Sequence, residues 1–234
     1  MKQEKVKLAY FTDILCVWAY TAQARLDELK KQLGNKLEIE YHFIPIFSCT
    51  STRIGEGWKE KGGFSGFSKH TRSIGEKFPH VKIHPDIWTK NIPASSANCH
   101  LFFKAVQLLQ KAQLISNEPH DAFNGRNLFE EYLWRSRIHF FEQAKNIADQ
   151  DILFEILEQL DIPRTIIEKY LKKGDAMAAL FNDIDIKERH HIEGSPSYLL
   201  NEGRQKLYGN VSYNIIAANV QEIIEKPENQ ASWC

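Results

Sequence analysis

Residues 6–43 constrain the fold of this chain more than any other stretch. Val6-Lys7-Leu8-Ala9-Tyr10-Phe11 is a compact apolar run that stops at Thr12-Asp13, the pattern of a central strand. Leu26, Leu29 and Leu33 then recur at helical spacing, and Gly34-Asn35 supplies the stop. Leu37, Ile39, Tyr41 and Phe43 alternate with polar residues until Pro45 ends a second strand. Two such strands around one helix favour parallel pairing through a crossover. Cys16 falls at the junction between the first strand and the helix.

The middle of the chain changes character. Gly55, Gly57, Gly62, Gly63 and Gly66 predict a mobile loop, and Pro79, Pro85 and Pro93 punctuate an irregular stretch. Helical patterns follow. Ser95 or Ser96 can cap the first, which carries Ala97, Leu101, Ala105, Leu108 and Ala112 on one face. Others run near 128–134, 152–160 and 163–174. No strand pattern occurs between Pro45 and Gly194, which predicts an all-helical insertion. Ser197-Tyr198-Leu199-Leu200, a turn at 201–204 and Lys206-Leu207-Tyr208 then read as a hairpin, and a helix from about 213 to 225 follows. The domain reading is therefore 1–62 with 176–234 as one unit and 63–175 as the insertion.

Charge and cysteine usage narrow the function. The 30 Lys and Arg balance the 30 Asp and Glu, so no basic face is expected for nucleic acid and no strong pull to an anionic membrane. No apolar run approaches the ~20 residues of a membrane span. Lys7 and Asp13 interrupt the only early apolar segment, so no signal sequence is read and a cytoplasmic location is expected. Four cysteines (Cys16, Cys49, Cys99 and Cys234) are too few and too scattered for a disulfide framework in 234 residues. Cys99 is placed in the core of the insertion, and Cys234 at a frayed terminus. His80 and His84 lie between Pro79 and Pro85, where no regular helix presents them together, so no metal is expected.

A cysteine at a helix N-terminus faces unpaired N–H groups and the positive end of the dipole. Both favour thiolate, which predicts Cys16 as the most acidic thiol of the chain. Asp13, three residues earlier, is read either as a proton-transfer group for that thiol or as a carboxylate that satisfies backbone N–H groups. Trp18 is placed on the substrate face beside it. Far along the chain, Gly194-Ser195-Pro196-Ser197-Tyr198 puts a proline at the opening of an internal strand, so the Ser195–Pro196 bond is expected to be cis.

Strand, cysteine, helix and strand, then a helical insert, Gly-Ser-Pro, a hairpin and a last helix, together resemble the thioredoxin fold. The fold class is thus thioredoxin-like α/β, with the helical domain inserted between the second and third strands. More narrowly the chain resembles the DsbA-like family. That family includes cytosolic oxidoreductases with a Cys-Pro-Trp-Cys site, kappa-class glutathione transferases and 2-hydroxychromene-2-carboxylate isomerases. The resemblance spans nearly the whole chain and is anchored by residues 13–20 and 194–198. It implies that the Ser195 backbone pairs with an extended thiol substrate. It also implies that the helix start at Ser95, Ser96 and Asn98 is aimed at the site, where free N–H groups could bind a carboxylate, although plain capping explains those residues too. The loop carrying Cys49 is implied to emerge near Cys16, which offers a resolving thiol, with a spectator thiol as the plainer reading.

Two departures define the expected chemistry. The second cysteine of the family motif is Ala19 here and its proline is Val17, while the transferase branch carries serine where Cys16 stands. The acidic residue that holds the amino end of glutathione in relatives has no counterpart in Gly209-Asn210-Val211-Ser212. The resemblance therefore implies a thiol–disulfide oxidoreductase with Cys16 as its single active-site cysteine and no tightly bound cofactor, with glutathione as co-substrate. Its partners would be thiols or disulfides, of protein or of glutathione, and the chain a monomer or homodimer. The alternatives are a glutathione-dependent isomerase or transferase, or a non-catalytic binding module.

Overall fold

The computed structural model describes residues 5–225; Cys234 lies outside them. The chain opens with β1 (Val6–Thr12), α1 (Val17–Leu33) and β2 (Leu37–Phe43). Six helices follow before the next strand. They are α2 (Gly63–Gly75), α3 (Ala97–Lys111), α4 (Leu128–Phe141), α5 (Gln150–Glu158), α6 (Arg164–Lys172) and α7 (Asp175–Arg189). The hairpin of β3 (Ser197–Leu200) and β4 (Gln205–Tyr208) leads into α8 (Tyr213–Glu225). Between β2 and β3 the described backbone pairs strand-fashion only at one isolated bridge, His120 to Arg126.

The sheet order is β2-β1-β3-β4. β1 pairs in parallel with β2 from Val6–Leu37 through Thr12–Phe43, as the crossover through α1 requires. β3 runs antiparallel to β1, with Tyr10 opposite Tyr198, and β4 antiparallel to β3. The apolar run of β1 reads as continuous because both its faces are covered. Leu8 and Tyr10 enter the main core, where the Tyr10 ring meets Tyr41 and Tyr198 at centroid distances of 5.8 and 5.2 Å. Phe11 points to the other face and packs with Ile44, Ile192 and Leu199.

The main core continues from the sheet into the helices. Phe43 at the end of β2 meets Phe103 of α3 at 4.9 Å, and Phe103 meets Tyr132 of α4 at 5.2 Å. α4 begins with a capping box in which Asn127 and Glu130 satisfy each other's backbone N–H groups. Asp183 of α7, almost fully buried, accepts from the Phe43 N–H at 2.8 Å and pairs with Lys104 of α3 at 2.9 Å. This ties α7 to β2 and α3 close to the C-terminal end of the parallel pair.

The glycine cluster corrects the expectation of a mobile loop. Ser51–Glu56 forms a π-helical turn, Lys59–Lys61 a 3-10 turn, and α2 begins at Gly63. A Cβ at Gly66 would lie 1.7 Å from the Lys61 carbonyl oxygen. Glycine here permits close backbone contact between successive turns, so its presence marks tight packing rather than freedom.

Candidate active site

The turn between β1 and α1 is built by Asp13. Its Oδ1 accepts from the Leu15 N–H at 2.9 Å, and its carbonyl accepts from the Cys16 N–H at 3.1 Å. This Asx-type turn swings the chain from strand to helix and leaves Cys16 as the N-cap of α1, in extended conformation. The Cys16 thiol donates to the Ser195 carbonyl at 3.1 Å, and the Ser195 Oγ accepts from the Asp13 N–H at 2.8 Å. The Ser195–Pro196 bond is cis. The head of α1 and the loop before β3 are thus stitched together around the sulfur, although 179 residues separate Cys16 from Ser195.

A cavity of about 500 Å³ opens at Cys16. Trp18, half-buried, forms part of its wall and meets the Phe78 ring edge-on at 6.3 Å. Phe47, Arg53 and His70 also line it, with Trp58 from the segment expected to be a loop. Glu193, Gly194 and Tyr208 complete it. Tyr208 is 57% exposed and lies over Gly194, where a Cβ would come within 2.8 Å of its hydroxyl oxygen. Glycine at 194 therefore leaves room for a phenol on the cavity rim. Gly194→Ala is expected to displace that ring, seen as a change in the Tyr208 side-chain resonances, with little loss of stability because an exposed side chain can yield.

Electrostatics overturn one expectation. Burial is the largest influence on Cys16, which is only 7% exposed, and pushes its thiol above the ordinary cysteine range. The N–H groups of Ala19 and Trp18 at the helix head pull the other way without prevailing, and the Asp13 carboxylate adds to the upward push. Cys49, exposed, has instead a pKa lowered to about 7, chiefly by its hydrogen bonding with the Ser51 and Thr52 hydroxyls. Cys99 is buried and its pKa well above the ordinary value. Cys16 is therefore not the most acidic thiol. Iodoacetamide at pH 7, followed by peptide mapping, is expected to label Cys49 at least about ten times faster than Cys16 in the free protein. Equal or reversed rates would mean that Cys16 is more open than the 7% found here.

Behind the turn lies a buried polar cluster whose members come from distant segments. Asp13 Oδ2 accepts from the Phe47 N–H at 2.9 Å and from the Ser96 hydroxyl at 2.8 Å. His100 Nε2 accepts from the Ile14 N–H at 3.1 Å and stands 3.8 Å from Asp13 Oδ1. Burial holds His100 neutral, with a pKa down to about 3, and raises Asp13 to about 6 against the opposing hydrogen bonds from Phe47 and Leu15. Asp13 thus serves as the structural carboxylate of the junction, largely ionised at neutral pH and three residues before the thiol.

Ser96 is brought to the site, but its hydroxyl is spent on Asp13 rather than on a ligand. Asn98 is not brought there: its amide donates to the Ala148 carbonyl at 2.7 Å, inside the helical region. The first turn of α3 points its side chain away from the cavity, so the expected carboxylate site at this helix start is not formed by Asn98. Cys49 points to solvent against Ser51 and Thr52 and does not line the cavity. Sequence reading missed His100, Arg53, His70 and Tyr208. The first three carry no local signal, and Tyr208 was legible only as a strand residue.

A β2-β1-β3-β4 sheet, a cysteine at the head of α1 and a cis proline facing it define a thioredoxin-class thiol site. The chain belongs to the DSBA-like thioredoxin domain family, whose sequence model matches residues 7–221. Several solved structures share the fold. The cytosolic disulfide reductase DsbM from Pseudomonas aeruginosa superposes with a TM-score of 0.60 at 18% identity, covering 96% of this chain and 98% of its own. DsbL from Salmonella enterica serovar Typhimurium gives 0.57 at 13% identity, over 95% and 89%. A 2-hydroxychromene-2-carboxylate isomerase gives 0.60 at 11% identity, over 97% and 100%. No curated protein matches the sequence of this chain. Among the described residues no helix is long and apolar enough to cross a membrane.

Proposed function

We propose that this chain is a thiol–disulfide oxidoreductase that works through Cys16 alone, with glutathione as the external thiol. The observation that carries the reading is the Cys16 sulfur itself. It sits at a helix head, 3.1 Å from the carbonyl that precedes the cis proline, at the wall of a 500 Å³ cavity. That volume is of the size used for small-molecule ligands and accommodates a low-molecular-weight disulfide.

The exchange proceeds in two balanced steps. The Cys16 thiolate attacks one sulfur of a bound disulfide, forming a mixed disulfide and releasing the other sulfur as thiolate. A second thiol then attacks the mixed disulfide on its substrate sulfur and returns Cys16. With Ala19 in place of a second cysteine, that thiol comes from outside the site. A reducing compartment such as the cytoplasm supplies glutathione for the step. The Pseudomonas DsbM, a structural neighbour, has also been solved with glutathione, which agrees with this choice of co-substrate.

The test uses the Cys49→Ser/Cys234→Ser chain, which removes the more acidic competitor and the terminal thiol. After incubation with oxidised glutathione, intact mass and peptide mapping are expected to find one adduct on Cys16, discharged by reduced glutathione. Cys16→Ser in the same background is expected to take no adduct. Failure of Cys16 to load would sink the reading. Glutathione-dependent turnover of a small electrophile that survives Cys16→Ser would favour the isomerase or transferase reading. That alternative draws its support from the aromatic-walled cavity with its Arg53 cation.

A further inference from the structure

We infer that His70, which lines the same cavity as Cys16, is the general base that takes the proton of the resolving thiol and returns it to the Cys16 sulfur. The inference rests on the single-cysteine exchange proposed above. In a two-cysteine site the second cysteine is the resolving nucleophile. Ala19 offers only a methyl group there, fully buried. An external thiol has an ordinary pKa of about 8.5 and is only a few per cent thiolate at pH 7. The leaving group is Cys16, whose burial makes it basic and therefore a slow leaving group as a bare thiolate. Both ends of the step gain from one group that accepts a proton and gives it back.

The cavity holds few candidates for that role. Arg53 is a permanent cation, Glu193 is a carboxylate, and Tyr208 is a phenol. His70 is the lining group whose ordinary titration lies near neutral pH. It projects from α2 with its ring 5.1 Å from that of Trp58 and 6.0 Å from that of Phe67, which fix its orientation. Burial, with Lys61 before α2 and Lys77 after it, lowers its pKa, so the imidazole is neutral at pH 7 and able to accept. The charged and titratable groups around it are Lys61 and Lys77, whose charges act on it, and Arg53, Glu193, Tyr208 and Cys16, which line the same cavity. Asp13 and His100 lie behind the α1 turn and do not line it.

In the step, the imidazole nitrogen takes the proton from the incoming thiol. The thiolate forms a bond to the substrate sulfur of the mixed disulfide, and the S–S bond to Cys16 breaks. Its electron pair goes to Cys16 Sγ, which takes the proton back from the His70 imidazolium. The products are a free disulfide and the Cys16 thiol, with no other oxidant or reductant.

The experiment isolates this half-reaction. Cys16 of the Cys49→Ser/Cys234→Ser chain is loaded with glutathione, and discharge by reduced glutathione is followed by rapid mixing between about pH 5.5 and 9. With His70 intact the rate is expected to stay nearly level from about pH 6.5 to 8.5, since a neutral base and a protonated thiol coexist there. His70→Gln is expected to fall about tenfold per pH unit below 8.5, to about 100-fold below the parent at pH 6.5, with partial rescue by added imidazole. His70→Asn repeats the measurement if the glutamine variant does not fold, and loading of Cys16 to the parent's final extent, at whatever rate, shows that the site is intact. Superimposable pH profiles in parent and variant overturn the inference and leave the exchange reading standing. Failure of the parent to load at Cys16 overturns the exchange reading itself.

Discussion

Asp13→Asn is expected to lose stability relative to the parent chain as pH falls from about 6 to 4, and His100→Gln is expected to gain it. The two groups are fully buried neighbours, 3.8 Å apart, and burial shifts them in opposite senses. Asp13 titrates at about 6 in the folded chain against an ordinary 3.8, so its folded form holds a proton more tightly than the unfolded form. Its contribution is therefore greatest below pH 3.8 and is lost as pH rises through 6, by about 3 kcal/mol. His100 titrates at about 3 against an ordinary 6.5, so its folded form binds the proton less tightly. Its contribution is full above pH 6.5 and is lost as pH falls toward 3, by up to about 5 kcal/mol. In the parent the two slopes oppose each other between pH 4 and 6. Removing either group exposes the other. Urea unfolding of the three proteins at several pH values gives the difference curves directly, and at roughly 2–4 °C per kcal/mol the same divergence appears in melting temperatures. Parallel pH curves for all three would show that neither group is as buried as described.

The second large effect concerns Ala19→Cys. The Ala19 N–H is among the helix-head groups acting on the Cys16 sulfur, and its side chain lies one turn along α1 with no solvent exposure. A cysteine there restores the family spacing on the first turn, where two sulfurs can meet. Under mild oxidant, which takes up the two electrons, the variant is expected to close an internal disulfide, read as the loss of two hydrogen atoms in the intact mass and of two alkylatable thiols. Discharge of the Cys16 mixed disulfide then becomes intramolecular and is expected to outrun millimolar glutathione by at least about 100-fold. It would also cease to depend on His70, since the second thiol replaces the external one. An introduced cysteine that stays freely alkylatable would place the start of α1 elsewhere.

How much of this was legible in the sequence differs from residue to residue. Apolar alternation and stop signals are local properties, and they identified β1, α1, β2 and the β3–β4 hairpin within a residue or two. The junction that carries Cys16 and the proline that opens β3 were equally visible, because strand ends and X-Pro bonds write themselves into neighbouring residues. The glycine cluster was misread for a related reason. Its glycines meet the backbone of preceding turns, as Gly66 meets Lys61, and that contact does not appear in composition.

The chain's sequence determined where the reactive cysteine stands and which secondary structure presents it. Only the tertiary structure decided how that cysteine behaves. The N–H groups that favour thiolate come with α1 and are local, but desolvation depends on everything that packs over the sulfur, and here it wins. The same holds for Asp13. Its partners Phe47, Ser96 and His100 arrive from 34 to 87 residues away, so its place in a shared buried network had no local trace. The cavity wall of Arg53, Trp58 and His70 is likewise assembled by the packing of α2 against α1 and against the turn at 51–56. Hydrogen bonding along one segment is encoded by that segment; burial and electrostatic coupling are sums over neighbours that only the folded chain brings together.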